Sequence, residues 1–290
     1  MLGLKRGTVA LFPHETEWET EAQRTIEKLK NICGEKIVDI AHVGSTSVKS
    51  IMAKPIIDIA ASVRDFEDFL VLDEKLRQNG FNHILHDDND AQLFYACGPY
   101  YNGDGDDQTH FVHVVKNDSM EWINYNLFRD YLNENEDAAR EYEALKLSLA
   151  KKGLPREEYT AGKKDFIAGI LRTALVKYYL GKTVEIEIDR PIGTPHPKHP
   201  EILYPINYGY IPNVFGGDGE ELDVYILGID ERIEEGDRAT AKIIGIVYRK
   251  NDVEDKLVAA PEGMEYTPEE IEKIIHFQEQ YYDSHVEMTK

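Results

Sequence analysis

The chain has 290 residues, 42% of them hydrophobic, and its 33 Lys+Arg against 54 Asp+Glu give a formal charge of −21. That length favours two domains, since single hydrophobic cores stop growing at roughly 250–300 residues, and the charge excludes a broad grip on nucleic-acid phosphates through counterion release. Cys33 and Cys97 are the only cysteines, no run of about 18 apolar residues occurs, and the first residues lack a signal peptide's apolar stretch; a disulfide framework, a thiolate zinc site and a membrane partner are not expected, and a cytoplasmic location is.

After Pro13-His14, Trp18, Ala22, Ile26 and Leu29 recur at helical spacing. Next comes His42-Val-Gly-Ser-Thr-Ser47, where Gly44 followed by Ser45, Thr46 and Ser47 can wrap backbone and hydroxyl donors around phosphate oxygens. The run 55–61, apolar except for Asp58, predicts a buried strand. A carboxylate there is costly without a partner and is placed to hold Mg²⁺ against a phosphate on the preceding loop. The plainer alternative is a helix-capping turn with Asp58 paired to Lys54. Runs 94–97 and 111–115 predict further strands. His110 and His113, three apart, face opposite sides, so at most one can enter a shared site; His42, beside the Gly-Ser loop, is the candidate partner. Helices are predicted at 121–133 and 136–151, the second with an apolar stripe of Ala138, Tyr142, Leu145 and Leu149. Arg129 and Lys146 on these helices read either as solvated ion-pair formers or as groups reaching a phosphate. Mixed α/β over 1–178 is the reading.

The texture changes near 178–182. Residues 182–290 hold 11 Lys+Arg and 24 Asp+Glu, a balance of −13, in short β-rich runs broken by Pro and Gly. Strands are predicted at 184–188, 224–227, 241–248 and 256–260, with a helix over 268–282. A small β-barrel with a C-terminal helix over 183–290 fits. In Asp218-Gly-Glu-Glu-Leu-Asp223 carboxylates crowd into six residues, which implies Mg²⁺ or a solvated loop; the tyrosines of 203–212 and Lys256 could hold phosphate oxygens.

The first part resembles the GrpB-like branch of the nucleotidyltransferase superfamily through Leu11-Phe-Pro-His14 with Trp18, His42-Val-Gly-Ser-Thr-Ser47, Ala53-Lys-Pro-Ile-Ile-Asp-Ile59, Thr109-His-Phe-Val-His-Val-Val115, and the helical residues Trp122, Phe128 and Tyr142 to Lys146. The resemblance implies an α/β nucleotidyltransferase-like mixed sheet and nucleotidyl transfer or nucleotide binding with Mg²⁺. Gly44, Ser45, Thr46, Ser47 and Lys54 would meet the phosphates of an NTP, with Asp58 as catalytic and metal carboxylate and His42, His110 or His113 beside it. The superfamily's second carboxylate, two residues on, is Ala60, leaving Asp88, Asp90 or Asp106 to replace it; the base usual before the His-containing strand is Gln108. The second part resembles the family I inorganic pyrophosphatases. That implies a Mg²⁺-dependent hydrolase in which Asp218, Asp223 and Glu254 bind metal, Glu220 is the general base, Tyr204, Tyr208 and Lys256 bind phosphate and Glu187 is the strand glutamate. Arg249 or Lys250 stands where the pattern has an aspartate, and His196, Lys198 or His199 would replace an arginine expected before the tyrosines. The joint expectation is a Mg²⁺-dependent phosphate-handling enzyme, an inorganic diphosphatase with a nucleotidyltransferase module, taking pyrophosphate and an NTP. Its rival is a catalytically weak nucleotide- or phosphate-binding adaptor or scaffold; a homo-oligomer is left open.

Overall fold

The computed structural model describes residues 1–117, 119–197, 199–216, 220–252 and 254–288, and the chain divides into two units, Met1–Leu171 and Arg172–Lys290. The first unit runs β1 (Leu4–Lys5), α1 (Thr16–Cys33), β2 (Ile37–Val43), β3 (Ile57–Val63), α2 (Phe66–Leu70), α3 (Asp73–Gln78), β4 (Asn82–His83), β5 (Gln92–Cys97), α4 (Pro99–Asn102), β6 (Asp107–Gln108), β7 (His110–Lys116), α5 (Met120–Glu134), α6 (Glu136–Lys151) and α7 (Arg156–Ala161). Helix α8 (Lys164–Tyr179) runs across the division.

Five strands form a mixed sheet in the order β2-β3-β7-β5-β4, with β3 and β7 parallel. Side chains alternate across a strand. Ile57, Ile59 and Ala61 of β3, with Val112 and Val114 of β7, therefore bury one face against Trp18, Ala22, Ile26 and Leu29 of α1. The opposite face carries Asp58 and Ala60 beside Phe111 and His113, paired in register. Helix α6 buries Ala139, Tyr142, Lys146 and Leu149, a line turned by one residue from the predicted apolar stripe. The turn puts a lysine, not Leu145, at its centre.

The second unit holds β8 (Thr183–Arg190), β9 (Pro195–His196), β10 (His199–Leu203), β11 (Asn207–Phe215), β12 (Glu221–Ile226), β13 (Arg238–Arg249), β14 (Lys256–Ala260), α9 (Pro268–Glu279) and β15 (Ser284–Met288). Strands follow the order β14-β12-β11-β8-β13, and β13 pairs back to β14, so five strands close into a barrel with β15 added on β13. Helix α9 starts on a Thr267–Glu270 capping box and buries Ile271 and Ile275 into a core with Tyr204, Tyr208, Tyr225 and Val258. It ends at Glu279, three residues short of the predicted end, and leaves Tyr281 exposed. Among the described residues no helix is long and apolar enough to cross a membrane.

One irregularity fixes the barrel's chemistry. Tyr208 lies opposite Arg190, Gly209 opposite Ile188 and Tyr210 opposite Glu187, so Asp189 is the extra residue of a β-bulge. Three residues apart, Glu187 and Arg190 would point to opposite faces of a regular strand; the bulge turns both to the face of Tyr208 and Tyr210. It also presses the Glu187 carbonyl onto Gly209, where a Cβ would lie 2.0 Å from the oxygen. Gly209→Ala should therefore destabilise the second unit by about 3 kcal/mol, since a clash with backbone relaxes poorly. Gly236, with φ +82° and open space around it, should cost only about 1 kcal/mol on the same change. Urea unfolding of the full chain, read at the barrel's transition, checks this; equal losses would contradict the bulge.

Two candidate functional sites

In the first unit the loop after β2 lies directly on Asp58. Gly44 has φ 69°, and a Cβ there would come within 2.4 Å of the Asp58 carboxylate; only glycine lets turn and carboxylate meet. The Asp58 side chain keeps 27% of its surface, and its Oδ1 lies 3.6 Å from His113 Nε2. His113 is oriented from behind: its Nδ1 is 2.9 Å from the Tyr125 hydroxyl and 3.2 Å from Gln92 Oε1. With the Nδ1 proton directed at that carbonyl, the Nε2 lone pair faces Asp58, an arrangement that favours a cation between them.

Asp58, Ser45 and His113 line a cavity of 510 Å³ whose lining also includes Lys54, Lys146 and Lys163. Among the described residues, no carboxylate lies within 4.0 Å of any of these three ammonium groups. Their neighbours are aromatic: Lys54 and Lys163 each sit 5.1 Å from the Tyr159 ring, and Lys146 lies 4.8 Å from that of Tyr142 while donating to the Met52 carbonyl. Burial, then the charge of Lys163, brings Lys146 down to about 7. Burial, then Lys163 and Arg156, brings Lys54 down to about 8. Burial also lowers Lys163, against the pull of Asp58.

Not every predicted residue comes to this cavity. Of the three hydroxyls only Ser45 lines it. Ser47 Oγ donates to the Gly44 carbonyl at 2.6 Å, and Thr46 Oγ1 is taken by His42 Nε2 at 2.9 Å; both short side chains close their own turn. His42 is thereby turned away from the cavity, and burial brings it down to about 4. His110, on the opposite face, meets Thr25 at 3.2 Å and Glu21 at 3.6 Å. Arg129 pairs with Asp130 and holds the His42 carbonyl. The alternative pair of Asp58 with Lys54 does not form. None of the proposed replacements for the carboxylate missing at Ala60 reaches the site: Asp88 is bound to His83 at 2.8 Å, Asp106 to Lys5 at 2.8 Å, and Asp90 is exposed. The second acid on the wall is Glu121, from the first turn of α5. Neither it nor Lys163 carries a local sequence signal.

In the second unit a 660 Å³ cavity is lined by Tyr208, Glu220, Asp223, Glu254 and Lys256. Asp218 lies outside the described residues, as does Lys198. The Lys256 ammonium is buried, bonded to the Asp223 carboxylate and, at 2.8 Å, to Glu254. Two carboxylates from different segments thus converge on one cation, the donor chemistry of a divalent site with lysine as stand-in. Hard carboxylate oxygens suit Mg²⁺, which takes one or two of them and completes its shell with water and phosphate; among the described residues no cluster of three His, Cys, Asp or Glu forms a closed cage. The arginine sought before the tyrosines is Arg190: it donates to the Tyr204 hydroxyl at 2.6 Å and stacks 5.3 Å from the Tyr208 ring. His196 and His199 line the cavity with their rings 5.4 Å apart, His196 stacked on Tyr204 at 6.1 Å and His199 meeting Glu201 at 3.3 Å. Tyr204 itself is fully buried behind Arg190. Burial, then Asp223, holds the Tyr208 phenol well above its ordinary range. Glu187 accepts from Tyr210 at 2.7 Å and pairs with Arg238. Arg249 is locked among Glu279 at 3.0 Å, Asp252 at 2.9 Å and the Tyr282 ring at 3.7 Å, while Lys250 pairs outward with Asp283.

With that geometry in hand, the comparisons with known proteins divide the chain in the same way. The family model described as GrpB protein matches residues 8–173, and that described as inorganic pyrophosphatase matches residues 172–287. The chain is 37% identical over 174 residues to the glutamate-rich protein GrpB of Alkalihalophilus pseudofirmus, covering 59% of this chain and 98% of that one. The crystal structure of conserved protein GrpB from Enterococcus faecalis superposes with a TM-score of 0.53 at 29% identity, over 59% of this chain and 99% of the other. An inorganic pyrophosphatase from Neisseria gonorrhoeae is similar at 22% identity and a TM-score of 0.30, over 37% and 75% of the two chains.

The depressed lysines set a pH dependence of stability. In the unfolded chain these groups titrate near 10.5, so between about pH 7 and pH 9 the unfolded state holds more protons and stability rises with pH. The first unit's urea midpoint should rise by the equivalent of about 2 kcal/mol between about pH 6.5 and pH 8.5, and Lys146→Met should remove most of that rise. A flat wild-type profile would mean that the ammonium groups stay charged and hydrated.

Proposed function

We propose, for a chain that belongs to the GrpB family and carries an inorganic pyrophosphatase domain behind the GrpB domain, that it is a Mg²⁺-dependent phosphate-handling enzyme. Its first cavity takes the polyphosphate chain of an NTP for nucleotidyl transfer, and its second hydrolyses inorganic pyrophosphate. The observation that carries the reading is the set Lys54, Lys146 and Lys163, three ammonium groups lining one cavity without a carboxylate partner among the described residues. Cations withdrawn from water and left unpaired are costly, and a polyanion is the ligand that repays them.

In the first cavity the three lysines draw in and orient the phosphates, and Tyr125, Phe128 and Tyr142 supply apolar walls that exclude water. Asp58, oriented beside His113, is the residue to hold Mg²⁺, which when bound supplies charge stabilisation at the phosphates. In the second cavity Asp223, Glu254 and Asp218 are the residues to hold the metal, which when bound makes water acidic enough to attack. Glu220, on the same cavity wall, would serve as the base for an attacking water. Lys256, Arg190 and Tyr208 orient the pyrophosphate and neutralise it. The internal pairing of Lys256 favours one second reading, a phosphate-binding adaptor without turnover; rate assays set beside calorimetric binding separate the two.

The full chain should release phosphate from pyrophosphate only with Mg²⁺, and Asp223→Asn should cut that rate at least about a hundredfold. A wild-type chain that shows no Mg²⁺-dependent release would remove the hydrolase reading. ATP should bind the Asp223→Asn chain with Mg²⁺ present, and adding Asp58→Asn should weaken that binding about tenfold or more. Affinity indifferent to Asp58 and to Mg²⁺ would remove the metal from the first cavity.

A further inference from the structure

The first unit has a second cavity, of 990 Å³, that shares the Phe111 and Thr160 side of the wall with the lysine cavity. Two arginines from distant segments serve it. Arg156, at the start of α7, lies 5.1 Å over the Phe111 ring and donates at 2.6 Å to Gln108 Oε1, and Gln108 in turn donates to the Tyr101 hydroxyl. Gln108 is 97% buried, being 3% exposed, so this clamp is fixed from inside the protein. Arg6 lies 4.7 Å over the Tyr100 ring and donates to that residue's hydroxyl. Both guanidinium groups are thus held by neutral partners and aromatic faces. The exposed acids on the rim, Asp87 and Glu157, stand beyond the 4.0 Å of an ion pair from either arginine. In a chain of charge −21, two guanidinium groups kept off carboxylates beside planar rings are a fork for an external oxyanion carried on a flat group.

The lysine cavity limits what that oxyanion can do. Two-metal sites stabilise both the attacking and the leaving oxygen of a phosphoryl displacement, and they are thereby suited to a hydroxyl nucleophile that must lose its proton. Here Ala60, wholly buried and paired with His113, stands where a second carboxylate would be, and the cavity's other acid, Glu121, comes from helix α5 and not from the strand of Asp58. A phosphate or carboxylate nucleophile is already ionised and asks for no base.

We propose that the second cavity is the acceptor subsite, that Arg6 and Arg156 bind a phosphate or carboxylate borne on a planar group, and that this oxyanion is the nucleophile. The nucleophile part rests on the reading of the lysine cavity as an NTP site. An acceptor oxygen bonds to the α-phosphorus, the α–β bridging P–O bond breaks, and its electron pair leaves with pyrophosphate. No proton changes hands.

The test uses the full chain carrying Asp223→Asn, with phenyl phosphate and benzoate as probes, phenol as the uncharged control, and calorimetry as the readout. At least one oxyanion should bind, phenol should not, and the stronger probe names the acceptor's chemistry. Arg156→Gln and Arg6→Gln, on separate segments, should each weaken that binding about tenfold or more, while ATP affinity with Mg²⁺ stays within about twofold and certifies the fold. Binding equal in both variants, or phenol binding as well as phenyl phosphate, overturns the subsite. With ATP, Mg²⁺ and the stronger probe together, mass spectrometry should find the adenylylated probe. Probe binding without that product overturns the nucleophile assignment, and loss of ATP binding alone condemns the NTP reading while the oxyanion subsite stands.

Discussion

A cation taken out of water needs an anion beside it or it gives up its proton, and the two units of this chain meet that constraint in opposite ways. The first leaves Lys54, Lys146 and Lys163 facing aromatic rings, and the amines slide towards neutrality. Among the described residues the second pairs its buried cations internally: Lys256 with Asp223 and Glu254, Arg249 with Glu279 and Asp252. An anionic ligand therefore enters the first unit against little electrostatic competition. In the second it must compete for Lys256, which cannot serve a phosphate fully while it holds two carboxylates. A divalent ion on those carboxylates would remove that competition, which is the physical reason why metal dependence belongs to the pyrophosphatase reading more firmly than to the GrpB cavity.

The backbone devices that set up both sites are of one kind, close approaches that only glycine permits. Gly44 lets the loop after β2 rest on Asp58, and Gly209 lets the bulged β8 press its Glu187 carbonyl against β11. In each case the missing Cβ positions a charged group on a neighbouring strand: the carboxylate that faces the lysines, or the guanidinium that faces the tyrosines. The surrounding cores, Trp18 and Leu29 on Ile57 and Ile59 in one unit and Ile271 and Ile275 on the barrel tyrosines in the other, hold these approaches closed.

Local patterns in the sequence carried what is local in the structure. The α/β class, the barrel, the Gly44 turn and the Asp58 strand follow from periodicity and short spacing, while the mixed sheet is what the family resemblance implies. What escaped depends on contacts the pattern does not encode. Lys146 reads from the sequence either as a solvated ion-pair former or as a group reaching a phosphate, because apolar spacing takes Leu145 as the inward residue, whereas packing turns the line to Ala139, Tyr142, Lys146 and Leu149. Arg190 hides because strict alternation sets it against Glu187, and a bulge undoes alternation. Arg249 stood out as a misfit, yet its partner Glu279 is 30 residues away in the chain. The hydroxyls of Thr46 and Ser47 were credited to a ligand because Ser-Thr turns and phosphate loops share a composition; here they satisfy their own backbone and His42.

Charge also bears on what the second unit can accept. Residues 182–290 carry −13, so free pyrophosphate, itself strongly anionic, approaches against the field of the whole barrel. Magnesium-complexed pyrophosphate carries less negative charge and brings part of the metal complement with it. Nucleotidyl transfer releases pyrophosphate that is already associated with magnesium, because the NTP enters the reaction as its magnesium complex. The product of the chemistry proposed for the first unit is then the form of substrate that the acidic second unit repels least. Its hydrolysis pulls a nearly reversible transfer forward by mass action. Neither proposed step needs the product to be passed directly from one unit to the other; a shared pool of the magnesium complex is enough, and the covalent link would then keep the two proposed activities in equal amounts.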